Sequence, residues 1–367
     1  MKRDRVLFSA LTLHSRLGGI QRFNQRVVGS LADAHPAAAL EVHVLEDRSA
    51  DLPGGGVLRG FGGRKLAFVL ATLRAARRAR LLAIDHVALL PVAVLARVIR
   101  PRLPILMFAH GIEVWGDAGV RPVRLHHRLM MRFAVTRVAC VSSFTAAKLQ
   151  RAFRYPARRV RLLPNAVDPL PAVARPADRA DAATVLVVTR LSASEPYKNV
   201  DKVILAVAQL AAAFPSLRLD IVGDGDARPV LVALADAQGI ADRVRFLGKV
   251  SDEDLAAAYA RASVFALPST GEGFGIAYLE AWQRGLPVIG STEGAAPEVI
   301  EHGRDGLLVD GADIGALAGA IETLLREPAL ARQLGETGLV KTKTVYAGEA
   351  FRRNLLRITR DLLATSP

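Results

Sequence analysis

Two doubly wound α/β domains facing across a cleft are predicted by three observations. Short β-type apolar runs alternate with helical stretches from end to end. The chain has 367 residues, more than the roughly 150 that one ordinary domain core organises. Near its middle runs Asp168-Pro169-Leu170-Pro171-Ala172-Val173-Ala174-Arg175-Pro176-Ala177-Asp178, whose prolines can continue neither a helix nor a central strand. The expected division is a first domain over 1–175 and a second over 180–346. A closing helix at about 347–367 is expected to pack back on the first.

In the first half the strand runs are Val6–Leu11, Val42–Leu45, Leu81–Ile84, Ile105–Ala109, Arg137–Val141 and Val160–Leu163. Helices are expected at Ile20–Ala34, Lys65–Ala79 and Arg121–Val135, and the glycines Gly54-Gly55-Gly56, Gly60, Gly62 and Gly63 read as a loop. The second half offers strands at Val185–Thr189, Leu219–Val222, Val244–Leu247, Val264–Leu267, Val288–Ile289 and Gly306–Val309. Its helices are expected at Val200–Ala213, Ala227–Gln238, Asp252–Arg261 and Gly275–Arg284. The apolar start Val6–Leu13 reads as a first strand rather than a signal peptide, because His14-Ser15-Arg16 follows it in place of a small-residue cleavage site. In such domains ligands bind at the carboxyl ends of the strands.

The most specific stretch is Pro268-Ser269-Thr270-Gly271-Glu272-Gly273-Phe274-Gly275, which follows a strand and opens a helix. Three glycines in five residues let the backbone approach a ligand, and the helix start offers unpaired N–H groups and a positive dipole end to a diphosphate. Glu272 in the loop and Glu280, about two turns into the helix, are acceptors for sugar and ribose hydroxyls. Arg190 and Lys198 follow the second domain's first strand, where two cations neutralise a diphosphate at roughly 1.5–3 kcal/mol per charge-assisted contact. Gly18-Gly19 follows the first strand and precedes a helix, a turn that also fits a phosphate. His110 ends a strand at the cleft-facing edge; Glu113 beside it either serves an acceptor or caps a turn.

Glu272-x7-Glu280 with its embedded Glu-Gly-Phe-Gly resembles the donor motif of the retaining family-4 glycosyltransferases, whose GT-B fold pairs two Rossmann-like domains. Arg190 and Lys198 match that family's basic pair, Gly18 and Gly19 its glycine pair, and His110-Gly111 its histidine facing the donor sugar. Val222-Gly223-Asp224-Gly225 and Pro164-Asn165-Ala166-Val167-Asp168 are also similar, with Ala166 where glycine is usual. The resemblance implies a retaining hexosyl transfer from a UDP- or GDP-linked sugar to an acceptor hydroxyl on a glycan or lipid. The first domain would take the acceptor and the second the nucleotide sugar. Arg190, Lys198, Glu272 and His110 would act at the reacting centre. Gly18, Gly19, Gly273, Phe274, Gly275 and Glu280 would complete the donor site. It implies no cofactor, with cations and a helix end in place of a metal. A sugar-nucleotide epimerase of the same architecture is the alternative.

Charge locates the expected partners. Residues 1–181 hold 30 Lys+Arg against 12 Asp+Glu, a net +18, and the remainder holds 19 against 23, a net −4. A genome-wide preference for arginine explains 41 Arg against 8 Lys, but not their gathering in one half. Arg121, Arg124, Arg128 and Arg132 fall on one helix face beside Leu125, Leu129, Met130 and Phe133, a pattern that fits an anionic membrane surface. Nucleic acid is disfavoured as a partner, because aromatics are only 5% and are not interleaved with the arginines as stacking platforms. The single cysteine, Cys140, excludes a disulfide scaffold. The longest apolar run, Val87–Ala96, is half of the about 20 residues a spanning helix needs. A cytoplasmic protein, peripheral on the inner membrane face, is therefore expected.

Overall fold

A computed structural model describes residues 5–15, 18–35, 39–51, 56–116, 122–171 and 183–364. The chain divides into two compact units, 1–165 with 348–367, and 166–347. Each is built on a sheet whose interior strands are mainly apolar, as burial on both faces favours, with buried polar exceptions such as His43 and Asp220.

The first sheet contains β1 (Arg5–Ala10), β2 (Leu40–Val44), β3 (Ala50–Asp51), β4 (Val57–Gly60), β5 (Ala79–Ile84), β6 (Ile105–Ala109), β7 (Arg137–Cys140) and β8 (Val160–Leu162). Their order is β3-β4-β2-β1-β5-β6-β7-β8, parallel except for the short β3. Val6 faces Leu40 on one side, and Leu82 lies between β1 and Ile105 of β6. Helices Lys65–Ala76, Leu90–Ile99 and Leu125–Ala134 cover one face, contributing Phe68, Ala93 and Met131 to a common core with Leu82, Ile84 and Met107. The helix Gly348–Ala364 packs on Gly19–Ala34, with Phe351 edge-on to Phe23 at 5.3 Å and Arg352 3.5 Å from Asp33.

The second sheet contains β9 (Thr184–Val188), β10 (Arg218–Val222), β11 (Val244–Gly248), β12 (Val264–Ala266), β13 (Val288–Ser291) and β14 (Leu307–Val309), all parallel. Their order is β11-β10-β9-β12-β13-β14. The chain winds outward from β9 in one direction, then restarts at β12 on its other side. The carboxyl ends of β9 and β12 therefore flank the point where the winding reverses, where such sheets bind ligands.

Three sequence expectations are corrected. The glycine-rich stretch is not all loop: Val57–Gly60 pairs with β2, and Leu58 is buried. Gly60 is needed there because a Cβ would lie 2.2 Å from the carbonyl carbon of Arg48. Gly54 and Gly55 lie outside the described residues. The unit boundary falls after Asn165 rather than at 175, because the chain beyond it is bonded to the second unit. Val167 N–H donates to the Tyr346 carbonyl, Leu170 N–H to Gln283 Oε1, and Gln283 Nε2 to the Asp168 carbonyl. Finally, the helix placed at Arg121–Val135 is described from Leu125, with Arg121 outside the described residues, and the helix from Lys65 ends at Ala76 because Ala79 already pairs in β5.

Candidate active site

Beyond β9 the backbone is held against the turn after β10. Leu191 N–H donates to the Asp224 carbonyl at 3.1 Å, and Ala227 N–H donates back to the Leu191 carbonyl at 3.0 Å. Gly223, at φ 128°, makes this approach possible, since a Cβ there would lie 1.8 Å from the Thr189 carbonyl oxygen. Arg190 leaves this support with its side chain 68% exposed, and its guanidinium pairs with the buried carboxylate of Glu195.

Lys198 closes the short turn Pro196–Lys198. Its ammonium donates to Glu272 Oε2 at 2.7 Å and lies 5.6 Å from the centre of the Tyr197 ring. The two loops are stitched by backbone as well. Asn199 Nδ2 donates to the Pro268 carbonyl at 2.8 Å, and Thr270 N–H to the Tyr197 carbonyl at 3.0 Å. A third loop, after β13, adds Ala295 N–H on the Glu272 carbonyl at 2.9 Å.

Past Glu272 and Gly273 the chain turns through Gly275, at φ 92°, into the helix Ile276–Gln283. A Cβ on Gly275 would meet the Tyr278 ring at 2.3 Å. The Phe274 side chain is buried edge-on against Tyr346, ring centres 5.7 Å apart, so what this residue offers a ligand is its backbone. Glu280 is the fifth residue of the helix, a little over one turn in rather than two. Its carboxylate is buried and accepts the Tyr259 hydroxyl at 2.9 Å.

In the first unit, His110 follows β6. Its ring sits edge-on to Phe23 at 4.6 Å, and Nε2 lies 3.1 Å from the Asp85 carbonyl oxygen. Burial lowers its pKa against the opposing pull of Glu113, so the imidazole is neutral at pH 7. The open question about Glu113 resolves toward a cap, since Oε1 accepts the N–H groups of His110 at 2.6 Å and Gly111 at 3.1 Å. The segment leading to Gly18 and Gly19 is held by two buried acids. Asp47 accepts the N–H of Leu13 and, at 2.6 Å, of His14. Asp85 accepts Leu11 N–H at 3.2 Å and Asn24 Nδ2 at 2.9 Å, and burial pushes its carboxyl up to about 7. Gly18 is extended, and a Cβ on it would sit 2.8 Å from Gln21 Oε1. Gly19 begins the helix Gly19–Ala34.

Within the second unit, then, Lys198 and Glu272 are brought together, Arg190 is turned toward Glu195, and Glu280 toward Tyr259. Sequence reasoning passed over Glu195, Tyr259, Asp85 and Asp47. Glu195 lay inside the stretch that named Arg190 and Lys198. The other three are single residues on distant elements with no motif to mark them.

The family profile described as "Glycosyl transferases group 1" matches residues 175–340, and "Glycosyltransferase Family 4" matches 24–169. A relative from Mycobacterium tuberculosis, "GDP-mannose-dependent alpha-(1-6)-phosphatidylinositol monomannoside mannosyltransferase", is 31% identical over 91% of this chain and 92% of its own length. A D-inositol 3-phosphate glycosyltransferase from a Mycobacterium species is 39% identical over 43% of this chain and 38% of its own. Among solved structures, sucrose-phosphate synthase from Thermosynechococcus elongatus superposes with a TM-score of 0.79 at 21% identity, covering 99% of this chain and 100% of that one. Anabaena Alr3699/HepE in complex with UDP-glucose does so at 0.79 and 20% identity, covering 97% and 99%. With two Rossmann-like sheets and sequence likeness over about nine-tenths of its length, the chain belongs to glycosyltransferase family 4.

Proposed function

We propose that this enzyme moves a hexose from a UDP- or GDP-linked sugar to a hydroxyl of a glycan or lipid-linked acceptor, with retention at the anomeric carbon and without a metal. One observation carries the reading. Loops from the carboxyl ends of β9 and β12, the strands flanking the winding reversal, put the Lys198 ammonium 2.7 Å from Glu272 Oε2. A cation and a carboxylate in contact match a ligand with anionic phosphate at one end and hydroxyls at the other.

In this reading Lys198, Arg190 and the start of the helix after Gly275 stabilise the departing diphosphate. Arg190 exchanges part of its pairing with Glu195 for the phosphate, Glu272 takes the sugar hydroxyls, and Glu280 the ribose hydroxyls. Gly18 and Gly19 approach the phosphates, while neutral His110 hydrogen-bonds the donor sugar. As the bond from the anomeric carbon to the phosphate oxygen breaks, the acceptor oxygen bonds that carbon on the same face. The leaving phosphate takes the acceptor's proton. Orientation and fixed charge supply most of the acceleration.

The mycobacterial relative makes GDP-mannose the first donor to test. The deciding experiment incubates the enzyme with GDP-mannose or UDP-glucose, with and without a lipid-linked acceptor. Products are read by mass spectrometry and anomeric configuration by NMR. Glycosylated acceptor with retained configuration is expected. A 2-epimerised nucleotide sugar formed without acceptor, or a trapped covalent glycosyl-enzyme, would overturn the reading or its mechanism respectively.

A further inference from the structure

The three helices that close one face of the first unit share a composition unusual for a solvated surface. Lys65–Ala76, Leu90–Ile99 and Leu125–Ala134 contain no aspartate or glutamate, and between Asp117 and Asp168 the chain has none. Their inward residues Phe68, Ala93 and Met131 belong to one core, and the helices pack side by side, so their outward ridges lie on one outer surface.

Those ridges are apolar. On the first helix Leu66 is 73% exposed and Leu70 follows one turn later. On the second, Leu95, Val98 and Ile99 point out. On the third, Leu125, Leu129 and Phe133 repeat every four residues, with Leu129 59% exposed. This last ridge runs beside the expected arginines, of which Arg124 and Arg132 are exposed and Arg128 half-buried, and burial of Met131 and Ala134 turns the leucines outward. Arg128 and Arg132 are drawn to the flank, donating to the carbonyls of Ala152 at 2.8 Å and Arg154 at 3.1 Å. Arg74, in the last turn of the first helix, and Arg77 and Arg78 just beyond it are exposed at its end.

We infer that this three-helix face docks on an anionic lipid bilayer, its leucine ridges entering the headgroup boundary and its arginine rim pairing with lipid phosphates. Charge chooses the occupant. A second copy would set one acid-free, arginine-rimmed surface against another, whereas anionic lipid neutralises the rim and receives the apolar ridges. The inference deepens the proposal of a lipid-linked acceptor, yet its test needs neither donor nor acceptor.

The full chain is sedimented with phosphatidylcholine vesicles and with mixed phosphatidylcholine–phosphatidylglycerol vesicles at physiological salt. Binding to the mixed vesicles alone is expected, with about a tenfold or greater loss in a Leu66→Ser/Leu95→Ser/Leu129→Ser variant. Thermal melting and nucleoside diphosphate affinity should be unchanged, because all three leucines are exposed. A Leu129→Trp variant gives an independent reading, its emission shifting blue on the mixed vesicles. Unaltered partition of the serine variant, no vesicle binding, or a wild-type dimer that the serines dissociate would each overturn the face. Nucleoside diphosphate binding, measured without lipid, reports separately on the transferase reading.

Discussion

Lys198 Nζ lies 2.7 Å from Glu272 Oε2 across 74 residues of sequence, with both side chains mostly buried. Lys198→Ala should lower kcat/KM at least about a hundredfold while circular dichroism and melting show a folded protein. Lys198→Arg should recover part of the loss. Near-normal turnover of the alanine variant would refute the diphosphate role.

Glu280 is positioned by the Tyr259 hydroxyl at 2.9 Å. Glu280→Gln should weaken nucleoside diphosphate binding about tenfold in calorimetry, with a smaller loss for Tyr259→Phe. An affinity unmoved by both changes counts against the ribose assignment.

Gly223 stands at φ 128° with a Cβ position 1.8 Å from the Thr189 carbonyl oxygen, whereas Gly239, at φ 68°, would place its Cβ in open space. Gly223→Ala should cost about 3 kcal/mol or more in urea unfolding and displace Arg190, while Gly239→Ala costs only backbone strain of about 1 kcal/mol. Equal costs for the two would refute the close-approach argument.

Asp85 carries a pH signature. Burial raises its carboxyl from 3.8 to about 7. The folded chain therefore keeps a proton that the unfolded chain releases over that interval. The associated stability is full below about pH 4 and lost as pH rises through about 7. The difference in Tm between wild type and Asp85→Asn should decline over that range, and a difference flat in pH would contradict it.

The alternation of apolar runs and helices made both domains legible, because a strand buried on two faces is written mainly in apolar residues. The loop Gly271–Gly275 was legible for a similar local reason: a backbone that must approach another group closely excludes side chains. Sequence alone thus determined most of the strand positions, the two-domain division and the identity of the acids and cations. It could not show that Val57–Gly60 joins the sheet or that residues 166–171 bind the second unit, since both rest on partners remote in the chain. Nor could it assign Glu195 to Arg190 or Tyr259 to Glu280, or turn Leu125, Leu129 and Phe133 outward. Charges and hydroxyls pair through space at about 3 Å, and helix faces are chosen by what lies beneath them, so only tertiary packing decides either.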